Sequence, residues 1–361
     1  MTASIASFVI DKADLSRTAI VDTPLPALQP GEILLKVDSF AFTANNITYA
    51  EMGDRMAYWA FYPAGDNRGI VPVWGFADVI DSRHDRIARG ERIYGFLPMA
   101  THAVLQPEKI TDTSLVDGTP HRKALPPAYN FYVRTTGDTA FLPEHEPLQA
   151  LLRPLFITAF LIDDFLADEK FFGAQTVVIS SASSKTAFGL AWLLHKRRGI
   201  TVTGLTSAGN RDFVAGLGCY DRVVLYDDIA SLDAAQPAVY VDFAGSGAVR
   251  KAIHEHYGDA LKYSCAVGLS HRETSPPGKG LPGPKPVFFF APDRIRKRTQ
   301  DWGRGGIDTR FADAIGDFLP KAAGWLRIIE GSGESSVAAA WQATLAGEVK
   351  PDEGHILSLW E

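Results

Sequence analysis

The chain has 361 residues, 46% of them hydrophobic and 22% charged, with a formal net charge of −6. That length predicts two domains, and the composition is that of a globular protein without the basic footprint of a nucleic-acid binder. No apolar tract reaches the roughly 18 residues of a membrane span, and two cysteines, Cys219 and Cys265, exclude a disulfide framework and a four-cysteine zinc site.

The opening residues 1–10 lack a basic segment ahead of an apolar core, so no signal peptide is read there and the cytoplasm is the expected location. Residues 1 to about 110 read as β-rich. Glu32–Asp38, Ile70–Ile80 and Glu91–Phe96 have strand composition, and their Gly and Pro neighbours suggest the bends of a small barrel. Residues 107–150 differ: Pro107, Pro120, Pro126, Pro127, Pro143 and Pro147 interrupt regular structure, while Pro126–Arg134 is aromatic in its middle. This stretch is expected to be an irregular insertion that serves as a lid or binding loop.

From Leu151 the pattern becomes α/β. Leu151–Leu166 suits a packed helix, and Thr176–Ser180 a strand buried on both faces. A helix over Ala187–Arg198, a strand over Ile200–Leu205, a short helix over Asn210–Leu217 and strands over Arg222–Tyr226 and Ala238–Asp242 follow. Strands alternating with helices predict a doubly wound parallel sheet. His254 and His256, two apart, would face different sides of a helix, and the scattered histidines offer no zinc triad. Gly278–Pro286 is a loop by composition; helical regions near Phe311–Ala323 and Val337–Ala346 and a last strand over His355–Leu359 complete the chain.

Open α/β sheets bind ligands at the carboxyl ends of their strands. After the first strand stands Ser180-Ser-Ala-Ser-Ser-Lys-Thr-Ala-Phe-Gly189. A helix N-terminus attracts phosphate; hydroxyls of Ser183, Ser184 and Thr186 would add donors, and Lys185 a full charge. The usual Gly-x-Gly-x-x-Gly is absent, so a plain serine cap is the competing reading. The second strand ends without the acidic residue of an NAD site. Ser207, Asn210 and Arg211 there suit a 2′-phosphate, with Asp212 as the feature against it.

The residues now resemble the medium-chain dehydrogenase/reductase superfamily, in its zinc-free branch of quinone oxidoreductases and enoyl reductases. Pro26–Val37 resembles the opening strand of that family. Phe42–Tyr49 followed by Gly53 resembles its Asn-Pro-x-Asp segment, with Thr43 and Asn46 in the Asn and Asp places. Arg89–Phe96 resembles its Pro-Gly-Asp-Arg-Val-Tyr-Gly turn, Phe213–Tyr226 its LGAD stretch, and Val241–Gly245 its Asp-x-x-Gly strand end. The order matches over nearly the whole chain. The glycine loop of the family is replaced by the serine-rich one, and the 107–150 insertion differs from common members; both point to a divergent branch.

The resemblance implies an α/β fold in three stretches: a GroES-like β-barrel catalytic domain over 1–150, a Rossmann domain over 151–290, and a C-terminal return to the first domain over 291–361. It implies NADP(H) as cofactor, with Ser183 to Thr186 at the pyrophosphate, Ser207 and Arg211 at the 2′-phosphate, Tyr226 near the adenine, and Thr158 and Gly268 beside the nicotinamide. Tyr49 is the candidate proton donor and Asn46 a candidate substrate-orienting residue; a barrel tyrosine packed by its ring is the competing reading of Tyr49. Arg134 and Arg153 flank the insertion and would suit a carboxylate or phosphate, or ordinary ion pairs. The expected partner is a small organic substrate, with no nucleic acid or membrane, and a homodimer is a possible assembly. The reading is a zinc-independent reductase of an activated double bond or carbonyl. Its alternatives are a non-catalytic ligand-binding protein that kept the fold and a pure interaction protein.

Overall fold

The strand-forming runs of the first third of the chain condense into ten strands in the computed structural model, which describes residues 4–65, 67–267, 280–303 and 305–361. They are β1 (Ser4–Asp11), β2 (Thr18–Pro24), β3 (Ile33–Phe42), β4 (Arg68–Gly69), β5 (Pro72–Ser82), β6 (Arg92–Pro98), β7 (His102–Leu105), β8 (Pro107–Glu108), β9 (Ser114–Asp117) and β10 (Phe131–Arg134), with helix α1 (Ala44–Glu51) after β3. Alternating elements follow: α2 (Glu146–Asp168), β11 (Thr176–Ile179), α3 (Lys185–His195), β12 (Thr201–Thr206), α4 (Arg211–Gly216), β13 (Arg222–Leu225), β14 (Ala238–Asp242), α5 (Gly247–Tyr257), β15 (Leu261–Ala266) and β16 (Val287–Phe288). The chain ends with α6 (Ala291–Trp302), α7 (Gly306–Ala323), β17 (Arg327–Ser332), α8 (Gly333–Leu345) and β18 (Glu353–Ser358). Two compact units result, Met1–Leu151 with Ala322–Glu361, and Leu152–Lys321.

In the first unit, β3 pairs along one edge with β5, while its other edge is shared by β7 and β18. Register shifts between Leu34/Leu35 and Val37/Ser39 curl it. Gly75 permits the bend, since a Cβ there would lie 2.2 Å from the Ser39 carbonyl oxygen. The core gathers Phe8, Phe40, Phe42 and Val73 around Trp341 of α8, whose indole N–H donates to the Leu15 carbonyl at 2.7 Å.

The 107–150 stretch is not an irregular lid. Strands β8, β9 and β10 extend the sheet in the order β6-β10-β9-β8, and Val133 pairs with Tyr94. Three of its prolines, Pro120, Pro127 and Pro143, open short 3₁₀ turns. Pro147 falls in the first turn of α2, where a missing N–H costs nothing. Set among prolines, these strands of two to four residues are hidden from a reading of the sequence.

The second unit is a parallel sheet in the order β13-β12-β11-β14-β15-β16. Val177–Ile179 and Val239–Val241 have no exposed surface, as β-branched runs covered on both faces require. Phe156 of α2 stacks on Phe318 of α7 at 4.3 Å. The return to the first unit begins at Ala322 rather than at 291. Arg294 of α6, almost wholly buried, reaches Asp168 at 2.8 Å and also pairs with Asp164, both on α2, so this charged helix belongs to the parallel sheet's unit.

Candidate functional site

At the carboxyl end of β11 the loop is built from side-chain bonds where glycines were expected. Ser180 is buried; its hydroxyl donates to Asp242 at 2.9 Å and accepts the Ala244 N–H at 3.0 Å. Asp242 is itself paired with buried Arg250 at 2.9 Å, so its charge is compensated inside the unit. Ser181 takes the positive φ, +51°, that a glycine would adopt more cheaply. Its N–H donates to the Tyr226 hydroxyl at 2.9 Å. Tyr226 thus reaches from the end of β13 across β12 to the β11 loop, and burial raises its pKa. The Tyr220 hydroxyl donates to the Ala182 carbonyl at 2.9 Å. Room for Ala182 is left by Gly204 of β12, where a Cβ would lie 2.9 Å from that of Ala182 and 2.8 Å from the Tyr220 ring. The close approach that the usual fingerprint gives to loop glycines has moved to Gly204.

Ser184 caps α3, its hydroxyl accepting the Ala187 N–H at 3.4 Å. Lys185 and Thr186, both half-buried, begin the helix. The first N–H groups of a helix have no intrahelical partner and carry partial positive charge, so this end suits an anion. The Ser183 hydroxyl accepts from the Asn210 amide at 3.1 Å. The structure therefore gathers Ser183, Ser184, Asn210 and Tyr226 around one loop.

Ser207 and Arg211 stand exposed after β12. Arg211 lines a pocket of about 450 Å³ with Arg222, Leu225, Asp228 and Ser231. Thr158 is half-buried on α2, and no hydrogen bond joins it to the β11 loop among the described residues. Gly268 lies outside the described residues.

In the first unit, Asn46 is not free to orient a substrate. Its side-chain oxygen accepts the Thr43 N–H at 2.8 Å in a capping box, and its amide donates to the Pro72 carbonyl at 3.0 Å. That cap aims α1, and α1 carries Tyr49 into an aromatic cup. The Tyr49 ring stacks on Tyr58 at 4.4 Å and meets Phe96 edge-on at 5.9 Å. The hydroxyls of Tyr58 and Tyr129 lie 3.1 Å apart. Burial raises the pKa of all three tyrosines, which keeps them protonated near neutral pH. Behind the cup, buried Arg122 bonds Asp117 at 3.0 Å, the Tyr129 carbonyl at 3.0 Å, and the hydroxyls of Tyr62 and Tyr132 at 3.1 and 3.0 Å.

Sequence reading missed Tyr58 and Tyr129, although the aromatic run of 126–134 was the signal. Arg134 is committed to Glu91 at 2.8 Å and the Thr111 carbonyl at 2.7 Å, and Arg153 lies over Phe311 at 5.7 Å. Among the described residues no group of three His, Cys, Asp or Glu side chains is placed to hold a metal ion, and no helix is long and apolar enough to cross a membrane.

The model of a family described as "Protein of unknown function (DUF2855)" matches residues 40–350. Comparison with curated proteins finds no match. Among solved structures the chain is similar to CurA in complex with NADPH from Vibrio vulnificus, at 15% identity over 98% of each chain and a TM-score of 0.59. It is similar to the quinone oxidoreductase from Coxiella burnetii, at 13% identity, 98% and 99% coverage and a TM-score of 0.54. It is also similar to a mutant form of enoyl thioester reductase from Candida tropicalis, at 10% identity, 98% and 99% coverage and a TM-score of 0.59. These likenesses establish the fold, a GroES-like barrel and a Rossmann sheet as in the medium-chain dehydrogenases/reductases.

Proposed function

The chain belongs to the family described as "Protein of unknown function (DUF2855)", and we propose that it is a zinc-independent NADP(H)-dependent oxidoreductase that reduces an activated double bond or carbonyl of a small organic substrate. The carrying observation is the end of α3, where a capped helix N-terminus, Lys185 and Thr186 stand at the carboxyl edge of a parallel sheet. The fold shared with a structure that holds NADPH supports it.

When bound, the cofactor supplies hydride; the chain supplies position, charge and protons. The first turn of α3, fixed by Ser184, would hold the pyrophosphate. Arg211 and Ser207 would hold the 2′-phosphate, and Asn210 keeps the loop after β12 tied to Ser183. Tyr49, protonated at neutral pH, donates to the reduced substrate. Titration with NADPH and NADH by fluorescence tests the reading: NADPH binds more tightly, and failure of both to bind overturns it.

A second reading, a non-catalytic ligand-binding protein, is favoured by one observation. The Ser181 N–H and the Ser183 hydroxyl are already engaged by Tyr226 and Asn210. NADPH consumption over a panel of enones, quinones and aldehydes separates the two, since turnover with any of them rules against the second.

A further inference from the structure

Strand β13 ends the parallel sheet. It bonds to β12 alone among the described residues, so the N–H and C=O groups of its outer edge have no strand partner. A pocket of about 450 Å³ wraps that edge, bounded by the four residues of β13, by Arg211 and, in the turn that follows, by Asp228 and Ser231. Bare edges are commonly guarded by shortness and charge, and β13 is short and starts with Arg222. A guard needs no cavity, however, and this cavity has the size of a ligand pocket. Arg211 and Arg222 are exposed, and no ion pair or hydrogen bond engages either guanidinium among the described residues.

The topology places the two cations. Side chains alternate along β13, so Arg222 shares a face with Val224, which packs in one cluster with Ile253 and Tyr257 of α5. Strand order runs outward from β11 to β13 in one direction and from β14 to β15 in the other. Right-handed crossovers therefore put α4 and α5 on opposite faces. Arg211 begins α4, on the face away from α5 and at the carboxyl end of the sheet, whereas Arg222 opens β13 at the amino end. The cations thus stand on opposite faces and at opposite ends of an edge about 10 Å long.

We propose that the β13 edge is a strand-addition site for an extended acidic segment of a partner protein, with two carboxylates three residues apart. In an extended chain such residues lie about 10 Å apart and point to opposite faces, which matches Arg211 and Arg222. Main-chain bonds to β13 supply affinity, and the two arginines choose the sequence. Small apolar or hydroxyl residues between the acids suit Val223, Val224 and Leu225. Charge favours an acidic partner over a second copy: each edge lines its pocket with two arginines and one carboxylate, Asp228, so two copies together keep an excess of positive charge. The binding claim stands apart from the reductase reading. One consequence rests on that reading: Arg211 cannot serve the segment and the 2′-phosphate at once, so the segment should weaken NADPH binding and spare NADH.

The test uses the full chain and a capped, fluorescein-labelled peptide, Thr-Glu-Val-Thr-Glu-Thr, followed by anisotropy without cofactor. It should bind more tightly than the same peptide with Gln for both Glu, and less tightly as salt rises. Arg222→Gln, at an exposed position, should cut that preference about three- to tenfold. N-methylation of the two central peptide residues should abolish binding, and the unmodified peptide should slow hydrogen exchange of the β13 amides. Absence of binding, equal binding of the acidic and Gln peptides, or binding that survives N-methylation overturns the proposal. So does displacement of the peptide by inorganic phosphate at equal concentration, which would mark a plain anion pocket, or a dimer in sedimentation that Arg222→Glu dissociates. NADPH affinity unaltered by bound peptide overturns the use of Arg211 at the edge. A separate NADPH titration judges the reductase reading: peptide binding without NADPH binding keeps the edge site and removes the reductase.

Discussion

Replacing Arg122 by Met leaves the Asp117 carboxylate buried without its cation. The side chains of Arg122 and Asp117 are 2% and 0% exposed, at 3.0 Å. Removing one partner of such a pair costs about 3–5 kcal/mol. Asp117 keeps the N–H groups of Gln106 and Thr119 and the Thr119 hydroxyl, at 2.9, 3.1 and 2.7 Å, so the lower end, about 3 kcal/mol, is the expected loss. The Asn130 side chain and the Tyr129 carbonyl lose donors as well, which should loosen the outer wall of the aromatic cup. Because two compact units need not unfold together, urea unfolding by circular dichroism is paired with hydrogen exchange of the β10 amides, which report on the first unit. Arg122→Met with Asp117→Asn should recover part of the loss, since the second change removes the unpaired charge. A loss below about 1 kcal/mol, the scale of a surface pair, refutes the assignment of Arg122 as the anchor of this segment.

Gly204→Ala presses a methyl group against Ala182 and Tyr220, at 2.9 and 2.8 Å. It should cost about 1–3 kcal/mol by thermal denaturation and weaken NADPH binding; an unaltered melting temperature would show that the loop yields freely. Arg211→Ala should weaken NADPH binding by about 1.5–3 kcal/mol through the lost charged hydrogen bond and leave NADH nearly unchanged. Equal losses for both cofactors remove the 2′-phosphate role. Hydrogen bonding from Arg294 holds the Asp168 carboxyl down at about 2, against an ordinary 3.8. A depressed carboxylate stabilises the fold above the ordinary value, and that contribution is lost as pH falls through about 2. Asp168→Asn should therefore lower stability at pH 6 and flatten the decline between pH 4 and 2; an acid limb that keeps its slope counts against the pair.

The elements that sequence reading recovered are those governed by local period. β11, β12 and β14 are short β-branched or apolar runs, and no arrangement other than a covered sheet buries both faces of such a run. α6 escaped because its pattern is charged: Arg294 and Arg298 look like solvated residues until Asp164 and Asp168 of α2 stand opposite them. β9 and β10 escaped because the prolines around them, Pro107, Pro120, Pro126 and Pro127, mark the stretch as irregular, and their place was decided by pairing with each other and with β6.

The sequence by itself determined the local chemistry of the loop after the first parallel strand. A serine cap, a lysine and a helix start after a buried strand are set by neighbouring residues, and local chemistry is legible in order. Tertiary structure alone decided how that loop is held and which tyrosines the first unit brings together. Tyr226 meets Ser181 across 45 residues and Tyr129 meets Tyr58 across 71. Those meetings depend on strand order, because strands far apart in sequence become neighbours only when the sheet assembles, and no local period encodes which neighbours they will be.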